Sequence, residues 1–134
     1  MPVVDSCVWI GAKRKKDQWH EMAVPIIKAI HDGKIKNVFV NDHIFNECVT
    51  FLINKKDFIA ASELGKTLIH EPKVRLVLID SPMFLHAWKF SKRYKLSFTD
   101  GTILTMMKIL NDKTLYSFDA GFDRVKWVDR KEDA

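Results

Sequence analysis

Five short apolar runs punctuate the 134-residue chain, and the stretches between them carry apolar residues at helical spacing. The runs are Val3–Ile10, Val38–Val40, Val74–Ile79, Leu115–Phe118 and a shorter one around Val125–Val128. Each is too short for a helix of ordinary length and rich in β-branched residues, which predicts strands buried on both faces. Between them, Trp19, Met22, Ala23, Ile26, Ile27 and Ile30 form a helical stripe over Asp17–Ile30, kinked at Pro25 and stopped by Gly33. Further helices are expected after Asn41 or Asp42, over Lys55–Ile69, from Ser81 as cap with Pro82 in the first turn, and after Thr99 as N-cap. Phe84, Ala87, Trp88 and Ser91 share one face of the Ser81 helix, and Trp19 and Trp88 are assigned to the core on this pattern. Strands alternating with helices in this way predict an α/β fold: a three-layer α/β/α sandwich around a mostly parallel central sheet. Length and composition fit a single domain over residues 1–134, with Asp129–Ala134 a charged, frayed tail.

Composition narrows the function. Hydrophobic residues at 47% and charged residues at 29% are globular values. The net charge of +5 tolerates a polyanionic partner without demanding one. Lys13-Arg14-Lys15-Lys16, in the loop Gly11–Lys16, is either a solvated run or a phosphate-contacting patch. Cys7 and Cys48 lie in apolar stretches and read as reduced thiols; no CxxC or Cys/His spacing suggests zinc. No apolar run approaches the ~20 residues of a membrane span. The amino-terminal apolar run precedes its basic cluster, the reverse of a signal peptide, so a cytoplasmic location is expected.

Three carboxylates stand where carboxylates are expensive. Asp5 interrupts the first apolar run, and Asp119 follows the fourth directly. Asp100 heads a helical face continued by Ile103, Leu104 and Met107 at i+3, i+4 and i+7. Each has an ordinary explanation as well. Asp5 can cap the turn after its strand, and Asp100 can simply complement a helix dipole. In a parallel sheet, however, all three positions open on one edge, the edge at which α/β proteins bind ligands. Carboxylates sharing one pocket repel each other, and a hard divalent cation such as Mg²⁺ or Mn²⁺ removes the conflict using oxygen ligands alone. Such an ion activates water and offsets charge at phosphorus, which points to phosphodiester hydrolysis. No P-loop, GxGxxG or GxSxG motif offers a competing chemistry. Glu47 lies at the border of a narrow polar stripe on its helix, and periodicity alone leaves it on the surface.

Four segments resemble the PIN domain, particularly the small VapC-like ribonucleases. They are Val3-Val4-Asp5-Ser6-Cys7, Asn46-Glu47, Tyr94 to Asp100, and Tyr116-Ser117-Phe118-Asp119-Ala120-Gly121-Phe122-Asp123-Arg124-Val125. The resemblance runs through essentially the whole chain, in order. It implies a Mg²⁺- or Mn²⁺-dependent site for RNA cleavage in which Asp5, Glu47, Asp100 and Asp119 are the acids. Asp5, Asp100 and Asp119 are the metal ligands it implies, and the hydroxyls of Ser6 and Ser117 would assist. It also implies a homodimer and, for toxins of toxin–antitoxin pairs, an antitoxin partner. Gly121 departs from the pattern, since many relatives carry a further acid there; nearby Asp123 is either a substitute or a surface acid. A non-catalytic RNA-binding scaffold and a nuclease for DNA or flap structures remain open on the same fold. An intact acidic quartet argues against the scaffold, because a pure binder of polyanions gains nothing from clustered negative charge.

Overall fold

A computed structural model describes residues 1–134. The chain runs β1 (Val3–Val4), α1 (Ser6–Lys13), α2 (His20–His31), β2 (Val38–Asn41), α3 (Asp42–Asn54), α4 (Phe58–His70), β3 (Val74–Val77), α5 (Ser81–Tyr94), α6 (Phe98–Leu110), β4 (Thr114–Tyr116), a 3₁₀ turn (Ala120–Arg124) and β5 (Asp129–Lys131). The five strands form one sheet in the order β3-β2-β1-β4-β5, and every pair is parallel. The chain steps from β1 outward to β2 and β3, then returns to the other side of β1 for β4. Right-handed crossovers therefore put α1–α4 on one face and α5–α6 on the other, giving the expected α/β/α sandwich. The strand order reverses between β1 and β4, and the position beyond their carboxyl ends is the usual binding position in such sheets.

The core is the sheet with its two helix layers. Val3, Val4, Val38, Val40 and Leu115 from the strands meet Ile26, Ile44, Leu52, Leu68, Ile103 and Met107 from the helices, all buried. On one face α1 packs on α2 and α3, and α3 on α4; on the other α5 lies against α6. The last two approach backbone to backbone. A Cβ added at Gly101 would stand 2.2 Å from the Ala87 carbonyl oxygen.

Several local expectations are corrected. Of Val3–Ile10 only Val3–Val4 is strand. Asp5 caps α1 by accepting from the Ser6 amide at 2.7 Å, and Val8, Trp9 and Ile10 are buried as a helix face. A short run apolar on all sides does not distinguish buried strand from buried helix. The cap of α6 is Ser97, whose hydroxyl accepts from the Asp100 amide at 3.1 Å, so Thr99 lies inside the first turn. Likewise Asp80, not Ser81, caps α5. Trp88 is 49% exposed and Phe84 is exposed with it, because the Ala87–Gly101 approach makes Met83, Ala87 and Ser91 the buried seam of α5. Val125–Val128 is not a strand; the fifth strand is Asp129–Lys131, paired with β4 where a frayed tail was expected. Charged side chains hide an edge strand from a hydrophobicity reading, since only its backbone is needed to extend the sheet.

Candidate active site

The position beyond the carboxyl ends of β1 and β4 is framed by four chain segments. Asp5 follows β1 and is 5% exposed. Its Oδ1 accepts from the Ser6 amide, and its Oδ2 accepts from the Ser117 hydroxyl at 2.7 Å. Ser117 follows β4 directly, and its Oγ also accepts from the Asp119 amide at 3.0 Å. One hydroxyl thus fixes the Asp5 carboxylate and the backbone that presents Asp119. The Asp119 carboxylate turns onto its own 3₁₀ turn, taking the Gly121 amide at 2.8 Å. A Cβ at Gly121 would sit 3.0 Å from that same oxygen.

Glu47 arrives from the second turn of α3. It is exposed as a residue, but its Oε1 accepts from the Ser6 hydroxyl at 2.8 Å, which brings it to the head of α1. Ser6 therefore joins Asp5 to Glu47 as Ser117 joins Asp5 to Asp119. Asp100 arrives from the first turn of α6. Asn41 ties α6 to α3: its buried amide donates to the Thr102 hydroxyl at 3.0 Å while its oxygen caps α3 through the Ile44 amide at 2.9 Å. The sequence marks Asn41 as a cap and gives no sign of the Thr102 bond, which joins residues 61 positions apart.

Electrostatics show that these acids share one environment. The Asp5 carboxyl is pushed up to about 6, first by burial and then by the negative charges of Glu47 and Asp119, against the lowering effect of Ser117 and the Ser6 amide. Asp100 is pushed up to about 7, again first by burial, then by Asp5, Asp119 and Glu47, with the Ser97 hydroxyl pulling the other way. None of the four takes part in an ion pair; the paired acids are Asp112, Glu63, Asp32, Asp123 and Glu132. Asp123 in particular is held by both forks of Arg130, at 2.9 and 3.1 Å. It is a surface acid and not a substitute for the carboxylate absent at Gly121. Cys7 lies beside Asp5 and Ser117, but burial first, and Asp5 next, push its thiol up to about 12, so it is no nucleophile.

As they stand, no three acidic, His or Cys side chains lie at closed metal-ligating spacing. That excludes a rigid all-protein cage of the kind a structural zinc requires. The donors present are carboxylate and hydroxyl oxygens, the donor type that Mg²⁺ and Mn²⁺ take. Two carboxyls raised first by burial and then by neighbouring acids, with no Lys or Arg paired to them, are what such an ion would relieve.

The PIN domain family profile matches residues 3–128. This chain is a PIN domain. Two solved structures share the fold of this PIN domain. VapC20 of Mycobacterium tuberculosis, described as a sarcin-ricin loop cleaving toxin, superposes with a TM-score of 0.79 at 22% identity, over 92% of this chain and 93% of its own. FitAcB of Neisseria gonorrhoeae superposes with a TM-score of 0.66 at 17% identity, over 97% of this chain and 96% of its own. No curated protein sequence matches the chain significantly.

Proposed function

We propose that this PIN domain is a Mg²⁺- or Mn²⁺-dependent endoribonuclease of the VapC toxin type. The observation that carries the reading is the pair of hydroxyls that gathers the acids, Ser6 joining Asp5 to Glu47 and Ser117 joining Asp5 to the Asp119 segment, with no Lys or Arg paired to any of the four. A protein gains nothing in stability from four unneutralised carboxylates at one sheet edge, so their presence is explained by a cation that binds there. A bound divalent ion would supply charge opposite the phosphate and a more acidic water.

The chain's own residues have separate tasks in this reading. Asp5, Asp100 and Asp119 would hold the cation, directly or through its waters. Glu47, exposed and held beside Asp5 through Ser6, would accept a proton from the attacking water. Ser117 fixes the rotamer of Asp5, and Ser6 holds Glu47 within reach of it. That VapC20 is described as cleaving the sarcin-ricin loop supports RNA as the substrate. A protein partner, as antitoxin or second copy, is supported by the exposed apolar surface of Leu78, Phe84, Leu85 and Trp88 beside a cavity of about 360 Å³ lined by Ile79–Ser81, Phe84 and Leu85. No helix is long and apolar enough to cross a membrane, and we place the protein in the cytoplasm with its substrate.

The test is digestion of structured RNA and of DNA of matching sequence by purified protein with Mn²⁺, beside Asp100→Asn. RNA cleavage that requires Mn²⁺ and disappears in the variant is the expected result. Undiminished cleavage by the variant, or no cleavage of any RNA at any Mn²⁺ concentration, refutes the assignment.

A further inference from the structure

The proposed cleavage site is acidic, yet its substrate is a polyanion, and something else must hold the strand. Two basic segments far apart in sequence converge near it. Lys13, Arg14, Lys15 and Lys16, at the end of α1, line a cavity of about 410 Å³ together with Asp57. Asp57 follows directly on Lys55 and Lys56 at the end of α3. The two segments meet over one ring: the Arg14 guanidinium lies 5.6 Å from the centroid of Phe51 and the Lys55 ammonium 5.5 Å from it. Among these six cations only Lys13 forms an ion pair, with Glu63 at 3.0 Å. The other five form no ion pair, and Asp57, the one carboxylate in the cavity, is turned to the Ala60 amide at 3.1 Å as the cap of α4.

The placement is directional. α1 and α3 both leave the acids and end at the cations. At the near end Ser6 touches Glu47, and at the far end Arg14 meets Phe51. Phe51 is four residues after Glu47, on the same helix face, and Lys55 is a further turn away. At ~1.5 Å per residue the cations stand about 12 Å from Glu47 along α3. A strand with one phosphodiester at the acids therefore reaches Arg14, Lys15, Lys16, Lys55 and Lys56 with phosphates a short distance along its backbone. Extended single strands are held in this way, by a basic track beside an aromatic side chain.

We infer that the cluster of Arg14, Lys15, Lys16, Lys55 and Lys56 around Phe51 is a phosphate-binding track for single-stranded RNA flanking the cleavage point. This rests on the nuclease reading, and the experiment separates the two. Binding of a 12-nucleotide single-stranded RNA is followed by fluorescence anisotropy without divalent ions, from 50 to 200 mM KCl. Wild type is compared with Lys15→Glu/Lys16→Glu, both exposed, and with the five-fold glutamine variant; circular dichroism checks folding and Mn²⁺ calorimetry checks the acids. The double variant should bind at least ~10-fold more weakly, and its log K against log salt slope should fall by about 1.4, for two phosphates at ~0.7 each. Mn²⁺ binding should be unchanged, and in cleavage assays KM should rise with kcat preserved. Equal affinity and equal slope in the folded variants overturn the track. Competition by poly-glutamate as strong as by RNA also overturns it, in favour of an acidic protein. RNA binding that depends on these lysines in a protein that neither binds Mn²⁺ nor cleaves supports the track and removes the nuclease reading instead.

Discussion

The Ser117 hydroxyl donates to Asp5 across 112 positions of sequence, at 2.7 Å, and the same oxygen accepts from the Asp119 amide. Ser117 is fully buried, so Ser117→Ala strips a charge-assisted bond from a carboxylate that is itself only 5% exposed. The loss should destabilise the protein by about 1.5–3 kcal/mol. It should also lower cleavage by ~10–100-fold, as for other groups that orient metal-binding side chains. Since Ser117 lowers Asp5, its removal moves the activity profile to higher pH, which a pH–rate series would reveal.

Asp100→Asn separates function from stability. Cleavage should fall by more than the ~10–100-fold typical of supporting groups. The metal-free variant at pH 8 should nevertheless melt at the same temperature as wild type or higher, because the substitution removes one of four mutually repelling charges. A lower melting temperature in EDTA would show that Asp100 has a structural role instead.

The raised carboxyls give the metal-free protein a definite pH dependence. Asp5 at about 6 and Asp100 at about 7, against an ordinary 3.8, keep protons that the unfolded chain releases. Their contribution is therefore complete below pH ~4 and is lost as pH rises through 6 and 7. Urea unfolding in EDTA should show stability falling between pH 5 and pH 8 by up to about 4 kcal/mol, less to the extent that solvent screens the half-buried Asp100. Mg²⁺ should restore more of it at pH 8 than at pH 5.

Asn41→Ala removes both the α3 cap and the bond to Thr102. A loss of about 2–3 kcal/mol is expected from the cap and the buried hydroxyl left without its donor. Because that bond joins the helices carrying Glu47 and Asp100, Mn²⁺ affinity measured by calorimetry should weaken as well.

Gly101→Ala tests the α5–α6 seam. Its Cβ would meet the Ala87 carbonyl at 2.2 Å, so the helices must separate. Overpacking of this kind destabilises by about 1–3 kcal/mol. Gly101 adjoins Asp100, so cleavage should drop further than the melting temperature alone implies; Ser97→Ala, which removes only the α6 cap, serves as the comparison.

The alternation of Val38–Val40, Val74–Val77 and Leu115–Tyr116 with amphipathic stretches was enough to give the layered parallel fold, because buried central strands and amphipathic helices follow from local pattern. The pattern failed where burial is decided by a neighbour. Cys7 to Ile10 is helix because Asp5 caps it, Trp88 is outside because Gly101 admits only Ala87, and Asp129–Lys131 is a strand because β4 leaves an edge to pair with.

The acids divide in the same way. Sequence determined that Asp5, Asp100 and Asp119 stand at element ends opening on one sheet edge, since strand and helix polarity fix which end each occupies. Only the tertiary structure decided that Glu47 reaches Ser6, that Asp123 is held away by Arg130, and that Arg14 and Lys55 meet over Phe51. Those contacts span the chain, and the charge and hydrogen-bond energies behind them depend on distance in space, which residue order does not encode.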